Sequence, residues 1–136
     1  MKILVAVDGT EHALAAVKLL IDHASWYREK PQVELLTVHR PVPKLPGMGA
    51  AVGKSQLDAY YREEGEQALA KAAKLLDKAG VAYERQVLVG DPAEVITEHA
   101  KKTRCDLIYI GTPDHRIGSV ANKVLHTSAV PVLLAK

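Results

Sequence analysis

The feature that most constrains this chain is a strict alternation of short apolar runs with amphipathic segments. Lys2 to Asp8 holds Ile3, Leu4, Val5, Ala6 and Val7 without a break. A short continuous apolar run, rich in β-branched residues and set before a glycine turn, reads as a parallel strand covered on both faces. Further strands are expected at Val33 to Val38, Val81 to Val89, Leu107 to Ile110 and Val130 to Ala135. Between them, apolar residues recur at helical spacing. One such segment carries Ala13, Leu14, Val17, Leu20, Ile21 and Ala24 through about Tyr27. Others run from Ser55 to Gly80, from Pro92 to about Thr103, and from Ser119 to His126. The order β-α-β-α-β-α-β-α-β predicts an α/β fold, a five-stranded parallel sheet with right-handed crossovers and helices on both faces. At 136 residues the chain is expected to form one domain, residues 1–136.

Punctuation residues sharpen the boundaries. Thr10 is an expected N-cap, with Glu11 favourable in the first turn. Ser55 with Asp58 resembles a capping box, and Gly80 is a natural C-terminal stop. Asp91-Pro92-Ala93-Glu94 is a compact start signal, with Asp91 as cap and Pro92 at the first helical position. Ser119 is the expected cap of the last helix. Tyr83, Arg85, Val87 and Val89 alternate with Glu84 and Gln86, a half-polar pattern that suits an edge strand.

Charge and cysteine content exclude several function classes. The 18 basic and 16 acidic residues are spread along the chain, so no concentrated basic face points to nucleic acid. A single cysteine, Cys105, rules out an internal disulfide and a multi-cysteine zinc site, and fits a reducing cytoplasm. The first apolar run is too short for a signal-peptide core, and no later run approaches the roughly 18 residues of a membrane span. A cytoplasmic protein without a nucleic-acid or membrane partner is expected. No G-x-S-x-G elbow, no complete P-loop and no metal cluster are present, so the chain is not expected to be an enzyme. His39 has no companion at ligand spacing, and the remaining histidines form no cluster. Cys105 is expected to be a buried thiol, and Tyr60-Tyr61 and Trp26-Tyr27 to serve in packing.

In an open parallel sheet, ligands bind beyond the carboxyl ends of the strands, where strand order reverses. Three separated segments converge there: Asp8-Gly9 after the first strand, Val38-His39 after the second, and Ile110-Gly111 after the fourth. The stretch Asp106 to Ser119 adds a glycine loop. Its apolar run stops at Gly111, a polar loop follows, and Gly118-Ser119 open a helix. That arrangement presents backbone N–H groups and the positive end of a helix dipole to an anion. Arg40 to Lys54, with Pro41, Pro43, Pro46, Gly47, Gly49 and Gly53, reads as a long loop, either a plain surface connection or a lid over a ligand. Gly47-Met48-Gly49 with Gly53 echoes a dinucleotide fingerprint, but it follows the wrong strand and leads into no helix.

The segments KILVAVDGT, LLTVHR, VLVGDPAEVI and DLIYIGT, with GSVANKVLHTSAVPVLLAK at the end, resemble the universal stress protein family over essentially the whole chain. The resemblance implies strand order 3-2-1-4-5 and a homodimer that pairs through the last strands. Part of that family binds ATP or another adenine nucleotide through three glycines, the last followed by serine or threonine. Gly111 and Gly118-Ser119 match its ends. The middle position holds Asp114, and only six residues separate Gly111 from Gly118. Two like charges about 4 Å apart repel by about 4 kcal/mol at an effective dielectric near 20, so Asp114 opposes phosphate. His115 and Arg116 offset this through side-chain contacts.

By matching position, Ala6, Val7, Asp8, Val38, Ile110 and Gly111 line the base and ribose. Arg116, Gly118, Ser119 and Val120 lie at the phosphate end, and Gly90 lies further out. The implied function is a small stress-response regulatory protein that keeps adenosine-type contacts with AMP, ADP or ATP and has weakened triphosphate binding. It would act by changing its dimer contacts or those of a regulatory protein partner. Two alternatives stand beside it: a nucleotide-independent dimer acting through protein–protein interaction, and a slow ATP hydrolase.

Overall fold

The computed structural model describes residues 1–43, 53–113 and 116–136. Its sheet consists of β1 (Lys2–Ala6), β2 (Gln32–His39), β3 (Tyr83–Val89), β4 (Leu107–Gly111) and β5 (Val132–Ala135). All pairings are parallel, in the order β3-β2-β1-β4-β5 expected from the resemblance. The register sets Ala6 level with Leu36 on one side and Ile110 on the other. The helices are α1 (Glu11–His23), α2 (Lys54–Ala79), α3 (Pro92–Lys102) and α4 (Ser119–Thr127). Among the described residues, no helix is long and apolar enough to cross a membrane.

The unbroken apolar run of β1 follows from its place at the centre. Ile3, Val5 and Val7 pack on the face covered by α1 and α2, with Leu14, Val17, Leu69 and Leu76. Leu4 and Ala6 face the other way, into a second cluster with Ile96 and Ala100 of α3 and Ala121 and Val124 of α4. Both faces are dry, so both sets of alternating side chains are apolar. β3 lies at the edge as its pattern predicts, with Glu84, Arg85 and Gln86 exposed. Gly65 lets α2 rest on that strand, since a β-carbon there would come within 2.3 Å of Val87 Cγ1.

Polar groups inside the fold are paired. Glu34, on the α3 face of β2, is met by Nε2 of His99 from α3 and lies 4.0 Å from the Lys2 ammonium. On the α1 face, Tyr109 is fully buried, and its hydroxyl meets Nδ1 of His23 at 2.8 Å as well as the hydroxyl of Tyr27. Burial first, then the bond to Tyr27, pushes the Tyr109 phenol well above its ordinary value.

Several boundaries differ from those the sequence suggests. α1 ends at His23, and a single 3-10 turn, Ala24–Trp26, carries the chain away. Trp26 is therefore not core: it is 74% exposed and stacks on His23. Ser55 does not cap α2. Gly53 takes that place with extended backbone and no side-chain bond, and α2 begins at Lys54. Likewise Gly118, not Ser119, caps α4, and Ser119 is its first helical residue. β5 starts at Val132 rather than Val130. The expected signals at Thr10, Gly80 and Asp91 match the structure. Thr10 accepts from Ala13 N–H, Gly80 closes α2 at φ 71°, and Asp91 accepts from Glu94 N–H. Cys105 is buried beside the Thr103 hydroxyl, 3.3 Å away.

Two contacts hold the carboxyl end of the sheet together. At Gly111 a β-carbon would sit 2.1 Å from the carbonyl oxygen of His12, so only glycine lets the first turn of α1 lie against the end of β4. The second is Asp91. Besides capping α3, its carboxylate lies 3.4 Å from Arg40 at the end of β2 and 3.4 Å from Lys123 on α4. Gly111→Ala should therefore destabilise the fold by about 1–3 kcal/mol, because the group in the way is backbone and cannot rotate aside. The check is a lower urea midpoint at unchanged m-value. The Glu94 N–H, opposed by partial burial and aided by Lys123 and Arg40, holds the Asp91 carboxyl below the ordinary aspartate value. A lowered folded-state pKa stabilises above the unfolded value, about 3.9, and that stability is lost as pH falls through the folded one. Asp91→Ala should then lower the urea midpoint at pH 7, with the deficit narrowing below about pH 4.

Candidate functional site

Sheet topology creates the site. β1 is flanked by β2 on one side and β4 on the other, so crossovers leaving the two halves diverge at the carboxyl ends. A cavity of about 450 Å³ opens there, between the starts of α3 and α4. Its size lies within the roughly 300–1,000 Å³ typical of small-molecule sites.

The floor is apolar. Ala6, Leu36 and Ile110, level across three strands, line it together with Val38, while Ile96 and Ala121 close it from the two helices. Val7, Asp8 and Gly111 form the end nearest α1, with His12 and Ala13 beside them. Pro113, Gly118, Ser119 and Val120 form the wall under α4, and Pro92 and Arg40 form the opposite rim. Nine of the ten residues expected from the sequence thus line one cavity. Arg116 does not; it is exposed, in the loop that follows β4. Gly90 also lies outside, donating its N–H to the carbonyl of His39. Asp114 and His115, and most of the proposed lid (residues 44–52), lie outside the described residues.

Asp8 is held for use at one oxygen. Its Oδ1 accepts from the Thr10 N–H at 3.0 Å and from the Thr10 hydroxyl at 2.5 Å, closing a turn before α1. Its Oδ2 lies 3.9 Å from His12 Nε2. Thr10 orients the carboxylate through Oδ1, and Asp8 lines the cavity, where a carboxylate oxygen can accept from a hydroxyl or an amine.

The glycine loop is built differently from what its sequence suggests. Thr112 is buried, and its hydroxyl accepts from the Gly118 N–H at 2.9 Å and donates to the Arg116 carbonyl at 2.8 Å. One of the expected anion donors, the Gly118 N–H, is thereby consumed inside the loop. What remains toward the cavity is the first turn of α4, which has no side-chain cap, and the Ser119 side chain. Gly111, expected to line the base and ribose, also makes room for the α1 backbone.

Arg40 and His12 are the polar lining residues that the sequence reading missed. Arg40 stands two residues beyond Val38, so the rule that points to strand ends would have reached it. His12 carried no such signal. It lies in the first turn of α1, and only the packing of α1 on Gly111 brings it to the rim. Among the described residues, no group of three or more His, Cys, Asp or Glu side chains is placed to hold a metal ion.

Comparison with known proteins bears on the same architecture. The family model described as the universal stress protein family matches residues 1–136. Universal stress protein MJ0531 of Methanocaldococcus jannaschii is 33% identical over 141 residues, spanning 99% of this chain and 81% of that protein. A universal stress protein solved in complex with cAMP superposes with a TM-score of 0.72 at 21% identity, covering 100% of this chain and 97% of the other. A family member from Arabidopsis thaliana solved with AMP bound gives 0.73 at 19% identity, covering 100% and 91%. At these identities the two structures share the fold. With its whole length matched by the family model and a third of its residues shared with a curated relative, the chain belongs to the universal stress protein family.

Proposed function

We propose that this protein is a stress-response regulator that binds an adenine nucleoside or nucleotide in the cavity between α3 and α4. The observation that carries this is the cavity itself. An apolar floor of Ala6, Leu36, Val38 and Ile110 suits a flat base, with the Asp8 carboxylate at its edge to accept from a ribose hydroxyl or the adenine amine. The fold neighbours crystallised with cAMP and AMP support the same ligand class. Phosphate recognition is reduced. The loop between Gly111 and Gly118 is short, and its last glycine N–H is bonded to Thr112 rather than open to a ligand. Ligands with one phosphate are accordingly favoured over ATP, and binding works without turnover in the cytoplasm. The dimer carries the signal onward to a regulatory partner. Its observation is β5, an apolar strand that pairs with β4 on one edge only and keeps Val132, Leu133 and Leu134 partly exposed. Such an edge invites a second copy.

Isothermal titration should give a heat of binding for adenosine and AMP. Asp8→Asn keeps an oxygen for Thr10 and removes the charge, and should weaken adenosine about tenfold, the equivalent of one charge-assisted hydrogen bond. No heat with adenosine, AMP, ADP or ATP would sink the proposal, and phosphate released from ATP well above buffer background would replace it with hydrolysis. Light scattering should give twice the 14.8 kDa of the chain. A monomer at high micromolar concentration would remove the strand-edge dimer.

A further inference from the structure

Among the described residues, Arg40 is the one arginine or lysine in the cavity lining, and it comes from the opposite side to the wall under α4. Arg40 leaves the end of β2 and reaches Asp91 at the start of α3, with Nη1 3.4 Å from Oδ1. The contact is long and half-exposed, with Arg40 64% and Asp91 36% accessible at their side chains, and exposed pairs of this kind hold weakly. Asp91 does not depend on it. Its Oδ2 accepts from the Glu94 N–H at 3.2 Å and faces the Lys123 ammonium at 3.4 Å. Lys123 is held in turn by Glu94, 3.7 Å away. If Arg40 departs, the Asp91 carboxylate therefore keeps a cation and a backbone donor.

Resting on the reading of the cavity as a nucleoside site, we propose that Arg40 is its specificity-determining residue, selecting a nucleoside monophosphate over the bare nucleoside. The guanidinium turns from Asp91 to the ligand's single phosphate, exchanging one weak carboxylate contact for a planar, two-pronged contact with phosphate. This supplies from a side chain what the shortened loop does not supply from its backbone. Asp91 acts as a latch, holding Arg40 at the rim while the cavity is empty and competing with the phosphate for it. Lys123 is the group that lets the latch open without stranding a charge.

The test is a titration of wild type, Arg40→Ala, Arg40→Lys, Asp91→Asn and the double variant with AMP and with adenosine. Arg40→Ala should weaken AMP about tenfold and leave adenosine within twofold, with Arg40→Lys in between. Asp91→Asn keeps a capping oxygen for α3 and should tighten AMP severalfold, again sparing adenosine. That gain should vanish when Arg40 is also alanine, since it acts through Arg40. A gain that survives in the double variant would mean a bulk charge effect and overturn the latch. Equal losses for both ligands, or no loss of AMP binding in Arg40→Ala, would overturn the role of Arg40 while leaving the cavity intact. Wild-type protein that takes up neither ligand would overturn the cavity reading and this proposal with it.

Discussion

Everything at the candidate site depends on β1 being hydrogen-bonded to β2 on one side and β4 on the other, with β2 and β3 reached by one pair of crossovers and β4 and β5 by the other. Right-handed crossovers then place α1 and α2 on one face and α3 and α4 on the opposite face. Beyond Ala6 the two halves part, and the loops after β1, β2 and β4 border an opening that no crossover fills. The same centrality forces β1 to be apolar on both sides, since neither face meets water. One topological fact thus explains both the KILVAV run and the position of the cavity.

Bonds within the chain hold the walls of that opening. Asp8 is turned by Thr10, the loop before α4 is closed by Thr112, and Asp91 joins the end of β2 and the start of α3 to the middle of α4. Gly111 allows α1 to press its backbone against β4. Each of these devices fixes geometry without a ligand, which lowers the ordering cost of binding. They also redistribute the polar groups. The Gly118 N–H is bonded within the loop, whereas Asp8 and Arg40 stay in the cavity lining. Selectivity in such a site falls to side chains more than to the glycine backbone.

Much of this was legible in the residue pattern. Strand alternation and the turns at Gly9, Gly80 and Gly90-Asp91-Pro92 located every strand and helix to within a few residues. The edge position of β3 followed from Glu84 and Gln86. The misses share a cause. Ser55 and Ser119 were favoured as caps because their side chains can accept a bond, yet glycines at 53 and 118 adopt the extended cap backbone without any such bond. Trp26 reads from the sequence as a packing residue, but the chain leaves α1 in a 3-10 turn that sets it outside. Arg116 is an expected site residue because it sits inside the glycine loop, yet nearness in sequence is not nearness in space, and the structure leaves it outside the cavity.

By itself, then, the sequence determined the elements, their order and the three strand ends that meet, because periodicity and turn chemistry are properties of neighbouring residues. It also carried the family, in segments spread over essentially the whole chain. Only the tertiary structure decided which polar groups reach the cavity and which are consumed elsewhere. Thr112 taking the Gly118 N–H, His12 arriving through its packing on Gly111, and Arg40 meeting Asp91 across 51 positions of chain depend on how loops fold back. Such contacts follow from the packing of the whole sheet and its helices, so no local pattern encodes them.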